Sequence, residues 1–334
     1  RRRRLRAVRR RGRGLPPPAH QLGRLRHLQR RRLAGGDHRP QLPRVHQETK
    51  AVSPQDAGEA SLRIKKTVHI AVSGDVFLTK LELDIVDTED FQRLRGIRQL
   101  GTVWMTYPTA LHTRFDDSLG VLRMADNMVK AIRTNTHNAP AESEITPTQE
   151  CLIRLYGLLH DITHVPFGHT IEDELLLFPR HDKNHARIAR FLGPDSPIGT
   201  LICAALGEDV YARLISIYNW DGHDAGTLPN PSDAFVYDLV SNTVCADLLD
   251  YLRRDSYFCG LNVALDYRFL NFLYIGDKDG QRRIFVRLWK PGKPTPRRDT
   301  LTDLARLLEA RYLIAERAYF HHAKIISGAM VGRA

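Results

Sequence analysis

The sequence is poor in cysteine. Its four, Cys151, Cys203, Cys245 and Cys259, stand apart without CxxC spacing, which excludes a disulfide framework or a zinc ribbon and points to a reducing, cytoplasmic setting. They read as small buried apolar side chains. Long apolar runs are missing too: none approaches the roughly 18 residues that cross a bilayer, and the arginine-rich start lacks the apolar stretch of a signal peptide. Neither membrane insertion nor secretion is expected. Acids are nearly absent from residues 1–46, which hold 16 Arg and only Asp37. The formal charge of +12 therefore belongs to that segment, because the rest of the chain carries 34 basic and 37 acidic residues. The chain opens without Met and stops at VGRA without a helix stop, so both ends are expected to be artificial.

What is present is a globular domain. A length of 334 residues and 42% hydrophobic content suffice for a sizeable buried core. Residues 1–62 are expected to form a disordered basic extension and linker, and 63–334 the domain. The plainer reading of the extension is a solvated tail; the functional reading is a weak, salt-sensitive contact with nucleic acid. A β-branched stretch from Val68 to Leu78 predicts a strand or hairpin. Thr88 is placed to cap a helix through FQRLRGIRQL, and Leu119, Leu122, Ala125, Val129 and Ile132 make a stripe at three- and four-residue spacing. Thr146-Pro147-Thr148-Gln149 reads as a capping box with proline at the first helical position. That helix should end near His164, since Pro166 disfavours helical geometry at Val165. Further helices are expected over 183–192, 232–256 and 300–326, the last with Leu304, Leu307 and Leu308 inside, and Asp-Gly between two apolar runs in LYIGDKDGQRRIFVRLW signals a hairpin. The fold class is mainly α with small β additions.

The stretch LYGLLHDITHVPFGHT places His160, Asp161, His164 and His169 within ten positions. Adjacent side chains on a helix diverge by about 100°, so His160 and Asp161 grip one ion only from its flank and need ligands from elsewhere. Asp247 supplies one, on a helix where Tyr251 and Asp255 follow in register and Leu248, Leu249 and Leu252 cover the other side. A mixed nitrogen and oxygen site of this kind suits Mn, Fe, Mg or Zn. A divalent ion there would acidify water and polarise a phosphoryl oxygen. His164, His169 and His185 are candidates to donate protons or bind phosphate, and Arg114, Arg311 and Tyr319 to clamp anionic oxygens. The plainer alternatives are backbone-satisfied histidines at 164 and 169, a solvated helix end at Arg254 and Asp255, core packing for Tyr319 and a surface charge at Arg311. His112 and His181 read as structural or exposed.

The segments FQRLRGIRQLG, YPTALHTRFDDSLG, LLHDITHVPFGHT, ADLLDYLRRDSYFCGL and RAYFHHAK, taken in order, resemble the HD-domain phosphohydrolases, in the branch of the deoxynucleoside triphosphate triphosphohydrolases and their bacterial relatives. The resemblance implies an HD-domain helical fold around a metal held by His, His-Asp and Asp. Here His160 and Asp161 match the central pair and Asp247 the last ligand. The first ligand departs: the family pattern FEHSLG reads FDDSLG, placing Asp117 where a histidine is expected. By the same resemblance Gln99 and Arg114 lie near sugar and phosphates, His164, His169 and His185 near the phosphate chain, Tyr251 and Asp255 at the sugar, and Arg311 and Tyr319 at phosphate and nucleoside. His169 and His185 become the leading general acids. Leu248 is a second departure, standing where enzymes that cleave all four deoxynucleotides place a lysine. The implied activity is metal-dependent hydrolysis of a nucleotide, a deoxynucleoside triphosphate foremost, in a homo-oligomer. The rival is a catalytically degenerate HD-fold protein that binds nucleotide or nucleic acid as a regulator.

Overall fold

The computed structural model describes residues 61–135, 144–220, 222, 230–290 and 295–334. Cα proximity divides the chain into Arg1–Lys50 and Ala51–Ala334. The expected basic extension lies outside the described residues, save for its last two.

The fold is mainly helical. It opens with an antiparallel hairpin, β1 (Ile64–Ile70) and β2 (Gly74–Thr79), in the register Val68 opposite Val76. Val76 and Leu78 point inward and are fully buried. Thr79 then caps α1 (Lys80–Val86) with a complete capping box to Glu82. Thr88 caps the next helix as expected, but α2 covers only Glu89–Gln92 and tightens into a 3-10 turn over Arg93–Gly96. The helix stops short because Gly96 is a poor helix residue and Arg93 turns inward to hydrogen-bond the carbonyl of His164 at 2.5 Å.

The centre of the fold is α3 (Arg114–Asn135), whose stripe Leu119, Leu122, Ala125, Val129 and Ile132 is buried. Against it pack α4 (Pro147–Leu159), started by the Thr146–Gln149 capping box, and α9, defined below. Between them run α5 (His185–Leu192), α6 (Pro197–Leu206) and α7 (Glu208–Asn219). The single helix expected over 232–256 is two, α8 (Ala234–Ser241) and α9 (Ala246–Phe258). The break falls at Asn242–Thr243, where the Asn242 side chain accepts from the backbone of Thr243, and Cys245 Sγ caps the new helix by accepting from Leu248 N. A hairpin of β3 (Leu273–Lys278) and β4 (Gln281–Val286) follows, turning at Asp279 and Gly280, both at positive φ (56° and 78°), as the Asp-Gly signal requires.

The helix expected over 300–326 is also divided. It comprises α10 (Arg298–Ile314), a π-helical turn over Ala315–Tyr319, and α11 (His322–Arg333). Its inner face is Leu307, Ala310 and Ile314; Leu308, expected inside, is 51% exposed, because it lies about 100° round the helix from Leu307 and outside this narrow stripe. All four cysteines are free thiols. Among the described residues no helix is long and apolar enough to cross a membrane.

Two buried arginines join the elements. Arg154 reaches Glu82 at 2.6 and 2.8 Å, the Phe77 carbonyl at 2.6 Å and Asp126, tying β2, α1 and α3 to α4. Arg254, fully buried rather than at a solvated helix end, pairs with Asp250 at 2.7 Å and with the Ser73 hydroxyl at 2.8 Å. Gly120 makes room for this pair where α3 crosses α9: a Cβ there would lie 2.1 Å from Arg254 Nη2 and 2.3 Å from Asp250 Oδ2. Disrupting a buried ion pair costs about 3 kcal/mol or more, which in a domain of this size is a melting-temperature loss of roughly 6–12 °C. Gly120→Ala is expected to show that loss by thermal denaturation. A melting point within about 2 °C of wild type would contradict the tight crossing.

Candidate metal centre

The site forms where three chain segments end or begin. α4 terminates at Leu159, with His160 as its C-cap, and successive turns follow as Ile162 N–H bonds the Leu159 carbonyl and His164 N–H the Asp161 carbonyl. Arg93 holds this turn from outside through the carbonyls of His164 and Ile162. Phe167 is left-handed at φ 59°, a conformation that costs free energy in a non-glycine residue and is found disproportionately at functional sites. Gly168 is required next to it, because a Cβ there would lie 2.5 Å from His164 Nδ1.

Asp117 lies in the first turn of α3 and Asp247 in the first turn of α9. Two helix N-termini, each carrying partial positive charge, thus bring carboxylates to the end of α4. His160 Nδ1–H donates to the Gly157 carbonyl at 2.9 Å, which leaves the Nε2 lone pair facing inward. That nitrogen lies 3.5 Å from Asp117 Oδ2, 3.5 Å from Asp161 Oδ2 and 3.7 Å from Asp247 Oδ1. The structure therefore brings Asp117, His160 and Asp161 into one cluster of ligand atoms, with Asp247 approaching it from the His160 side.

The chemistry of this set fits a divalent cation. Both oxygens of Asp117, which is fully buried, and His160 Nε2 have no hydrogen-bond partner. Two donors each about 2.1 Å from one ion lie roughly 3.0 Å apart in an octahedron and roughly 3.4 Å apart in a tetrahedron. The observed spacings are near the second value and too long for hydrogen bonds. Electrostatics agrees. Burial lowers the affinity of His160 for a proton, but the carboxylates of Asp161, Asp117 and Asp247 outweigh it and raise the imidazole to about 10. Burial, with Asp117 and Asp161 adding to it and His160 opposing, pushes Asp247 up to about 8. Asp161 resists burial, since Arg114 and then the imidazoles of His160, His164 and His181 hold it well below the usual carboxylate range. A group that attracts a proton as strongly as His160 and Asp247 do also attracts a metal ion, because both compete for the same lone pair.

The centre sits in the wall of a cavity of about 870 Å³. Of the remaining expected residues, Gln99, Arg114, His169, His185, Tyr251, Asp255, Arg311 and Tyr319 line this cavity. Arg114 is buried and pairs with Asp161. His169 is about half exposed, its Nδ1 bonded to Asp173 Oδ2 at 2.8 Å. His185 stands at the start of α5 with Nδ1 on Asn219 Oδ1 at 3.0 Å. Asp255 is buried with both oxygens engaged, Oδ2 accepting from the Tyr319 hydroxyl at 2.5 Å and Oδ1 facing His112 Nε2 at 2.7 Å. His164 is set apart from the others: it is 1% exposed and lies behind the cavity wall.

Two further cavity residues, His181 and Lys324, are absent from the candidates read in the sequence. His181 is buried, stacks on His164 at 3.6 Å and faces Asp161 Oδ1 at 3.6 Å. Lys324, within the RAYFHHAK motif, lines the cavity beside Glu174, and burial lowers it to about 8 against the attraction of Asp173. Leu248 is buried and makes no contribution to the cavity lining.

The family model of the HD domain matches residues 114–219. A deoxynucleoside triphosphate triphosphohydrolase SAMHD1 homolog of Dictyostelium discoideum is 32% identical over 226 residues, 64% of this chain and 40% of that protein. The human deoxynucleoside triphosphate triphosphohydrolase SAMHD1 is 26% identical over 80% of this chain and 43% of its own length. An uncharacterized protein of Methanocaldococcus jannaschii is 28% identical over 80% of this chain and 49% of that protein. The chain thus spans less than half the length of these relatives. A hypothetical protein from Aquifex aeolicus, solved by crystallography, superposes with a TM-score of 0.59 at 26% identity, covering 78% of this chain and 61% of that one. Residues 114–219, which include Asp117, the His160-Asp161 pair and the histidines around it, are an HD domain.

Proposed function

We propose that the chain is a metal-dependent phosphohydrolase acting on a nucleotide, with a deoxynucleoside triphosphate as leading substrate. The observation that carries this is His160 Nε2 facing three carboxylates at 3.5–3.7 Å in the wall of a cavity rich in cations and aromatic rings. The named relatives hydrolyse deoxynucleoside triphosphates, which supports the substrate. Asp117, His160, Asp161 and Asp247 hold the ion. When bound, it supplies Lewis acidity, acidifying water and drawing charge from phosphoryl oxygens.

The side chains divide the remaining work. His169 is the favoured proton donor to the leaving oxygen: its Nδ1 is anchored on Asp173, so Nε2 is free for the cavity, and a carboxylate-oriented imidazole is a competent general acid. His185, held by Asn219, takes a phosphate oxygen. Arg311 opposes the charge of the phosphate chain. Tyr319 is fixed by Asp255 and lies 6.4 Å from Tyr251, ring to ring, a wall suited to the nucleoside. His164 acts from behind, pressed against Asp161.

Incubation of the purified chain with Mn or Mg and each deoxynucleotide in turn is expected to release deoxynucleoside and inorganic triphosphate. Absence of hydrolysis of any nucleotide or phosphodiester, under any metal, would remove the enzyme reading. His169→Gln should lower kcat by about 10²–10⁴ with metal content unchanged.

The second reading, a degenerate binder, is favoured by Asp117 alone. If Asp117 is a working ligand, wild-type protein binds metal and Asp117→Ala weakens it by more than about tenfold, the loss seen on removing even an outer-shell partner. If the site has decayed, metal and turnover appear only in Asp117→His.

A further inference from the structure

We propose that Lys324 is a positioning residue for His169: from α11 it fixes Glu174, and through Glu174 the turn on which Asp173 holds the imidazole. The inference rests on the reading of His169 as proton donor and extends it to the element that aims it.

The segment that carries His169 does not hold its own shape. Residues Thr170–Glu174 form a π-helical turn, closed by the Leu175 N–H on the Thr170 carbonyl at 3.0 Å. It is bracketed by two left-handed residues that are not glycine, Phe167 at φ 59° and Leu176 at φ 52°. π-Helical turns are rare and left-handed residues of this kind cost free energy, so both persist only where the surroundings over-determine them. Two sets of contacts do so. On one side the buried Glu172 takes Arg187 together with the ring and backbone N–H groups of His181. On the other side lies α11.

α11 meets the turn along a single face. Lys324, Gly328 and Gly332 follow at four-residue spacing and so share one side of the helix. A Cβ on Gly328 would lie 2.8 Å from Thr170 Cγ2, and one on Gly332 would lie 2.4 Å from Leu175 Cδ1. Lys324 completes the face with an ion pair to Glu174. Its side chain is 8% exposed and that of Glu174 20%, so water screens the pair little and removing one partner strands the other's charge. The helix has a fixed base as well: Ser327 Oγ lies 2.6 Å from Thr102 Oγ1, at the start of the 3-10 turn Val103–Met105.

Asp173 stands beside Glu174 in the same turn, and its Oδ2 accepts from His169 Nδ1 at 2.8 Å. Arg180 Nη1 is 3.5 Å from Asp173 Oδ1, but the two side chains are 49% and 34% exposed, and an open pair of this kind fixes little. The orientation of Asp173 is therefore set by the turn, and that of the turn by Lys324. Asp173 in turn sets the tautomer of His169, keeping the proton on Nδ1 and Nε2 turned to the cavity.

Full-length chain labelled with 15N-histidine tests this by nuclear magnetic resonance at about pH 7.5, where burial keeps the His169 ring neutral. The signal lost in His169→Gln assigns the residue. Wild type is expected to show the tautomer protonated on Nδ1. In Lys324→Met the signal moves to a mixture of the two tautomers and kcat falls by about 10–100-fold with metal content unchanged, while Lys324→Arg restores both. An unchanged His169 signal, or an unchanged kcat in an active enzyme, overturns the proposal. A rise in KM alone, with kcat and the signal kept, leaves the lysine only a phosphate contact and overturns it too. If Lys324→Met does not fold, Glu174→Gln decides, since it must move the same signal. A moved signal in a chain that hydrolyses no nucleotide removes the hydrolase reading and leaves Lys324 as the residue that fixes His169; hydrolysis with an unmoved signal removes the positioning alone.

Discussion

Three carboxylates converge on one imidazole nitrogen in a site largely withdrawn from water, and the rest of the fold is arranged around the cost of that convergence. Buried like charges are expensive unless opposed. The opposition comes from the N-termini of α3 and α9, which carry Asp117 and Asp247, and from Arg114 on Asp161. The convergence therefore demands that two helix starts and one helix end meet. Gly120 permits the close crossing of α3 and α9, and the pair Arg254–Asp250 locks it to the first hairpin through Ser73. Arg154 does the same for α4 from the other side. What remains unbalanced is negative charge without hydrogen-bond partners, which is what a cation site requires.

Parts of this were legible in the sequence because they depend on local chemistry. The capping box at Thr146 placed the start of α4, and the Asp-Gly pair placed the second hairpin. The stripe on α3 and the register of Asp247, Tyr251 and Asp255 needed only helical periodicity. The breaks were not legible. Ser241-Asn242-Thr243 is a polar interruption so short that the flanking apolar residues read as one helix, yet there Asn242 ends one helix and Cys245 begins the next. That break matters most, since it gives Asp247 a helix N-terminus. The π turn at Ala315–Tyr319 was equally hidden, and it carries Tyr319, whose hydroxyl bonds Asp255. His181 lies on a three-residue 3-10 turn, and its partner Glu172 stands on a separate π-helical turn, so no periodicity joins them.

The two departures from the family pattern are linked through charge. Aspartate at 117 in place of histidine makes the centre more negative by one charge, which strengthens the hold on a hard cation and also repels an anionic substrate. Leucine at 248 takes away one cation that would offset this. Its buried side chain packs instead into the core, so no rotation brings it to the cavity. The compensation comes from other elements: Arg180, Lys183 and Lys324 line the same space, as does Arg311 on α10, which packs against α9. Lys324 is fixed beside Glu174 and Arg180 beside Asp182 and Asp173, so both are oriented before a ligand arrives. On the proposed reading, a phosphate chain is held by these cations rather than from the helix that carries Asp247. On the same reading, selectivity among nucleotides falls to the tyrosine wall, where Asp255, held by His112, sets the position of the Tyr319 hydroxyl.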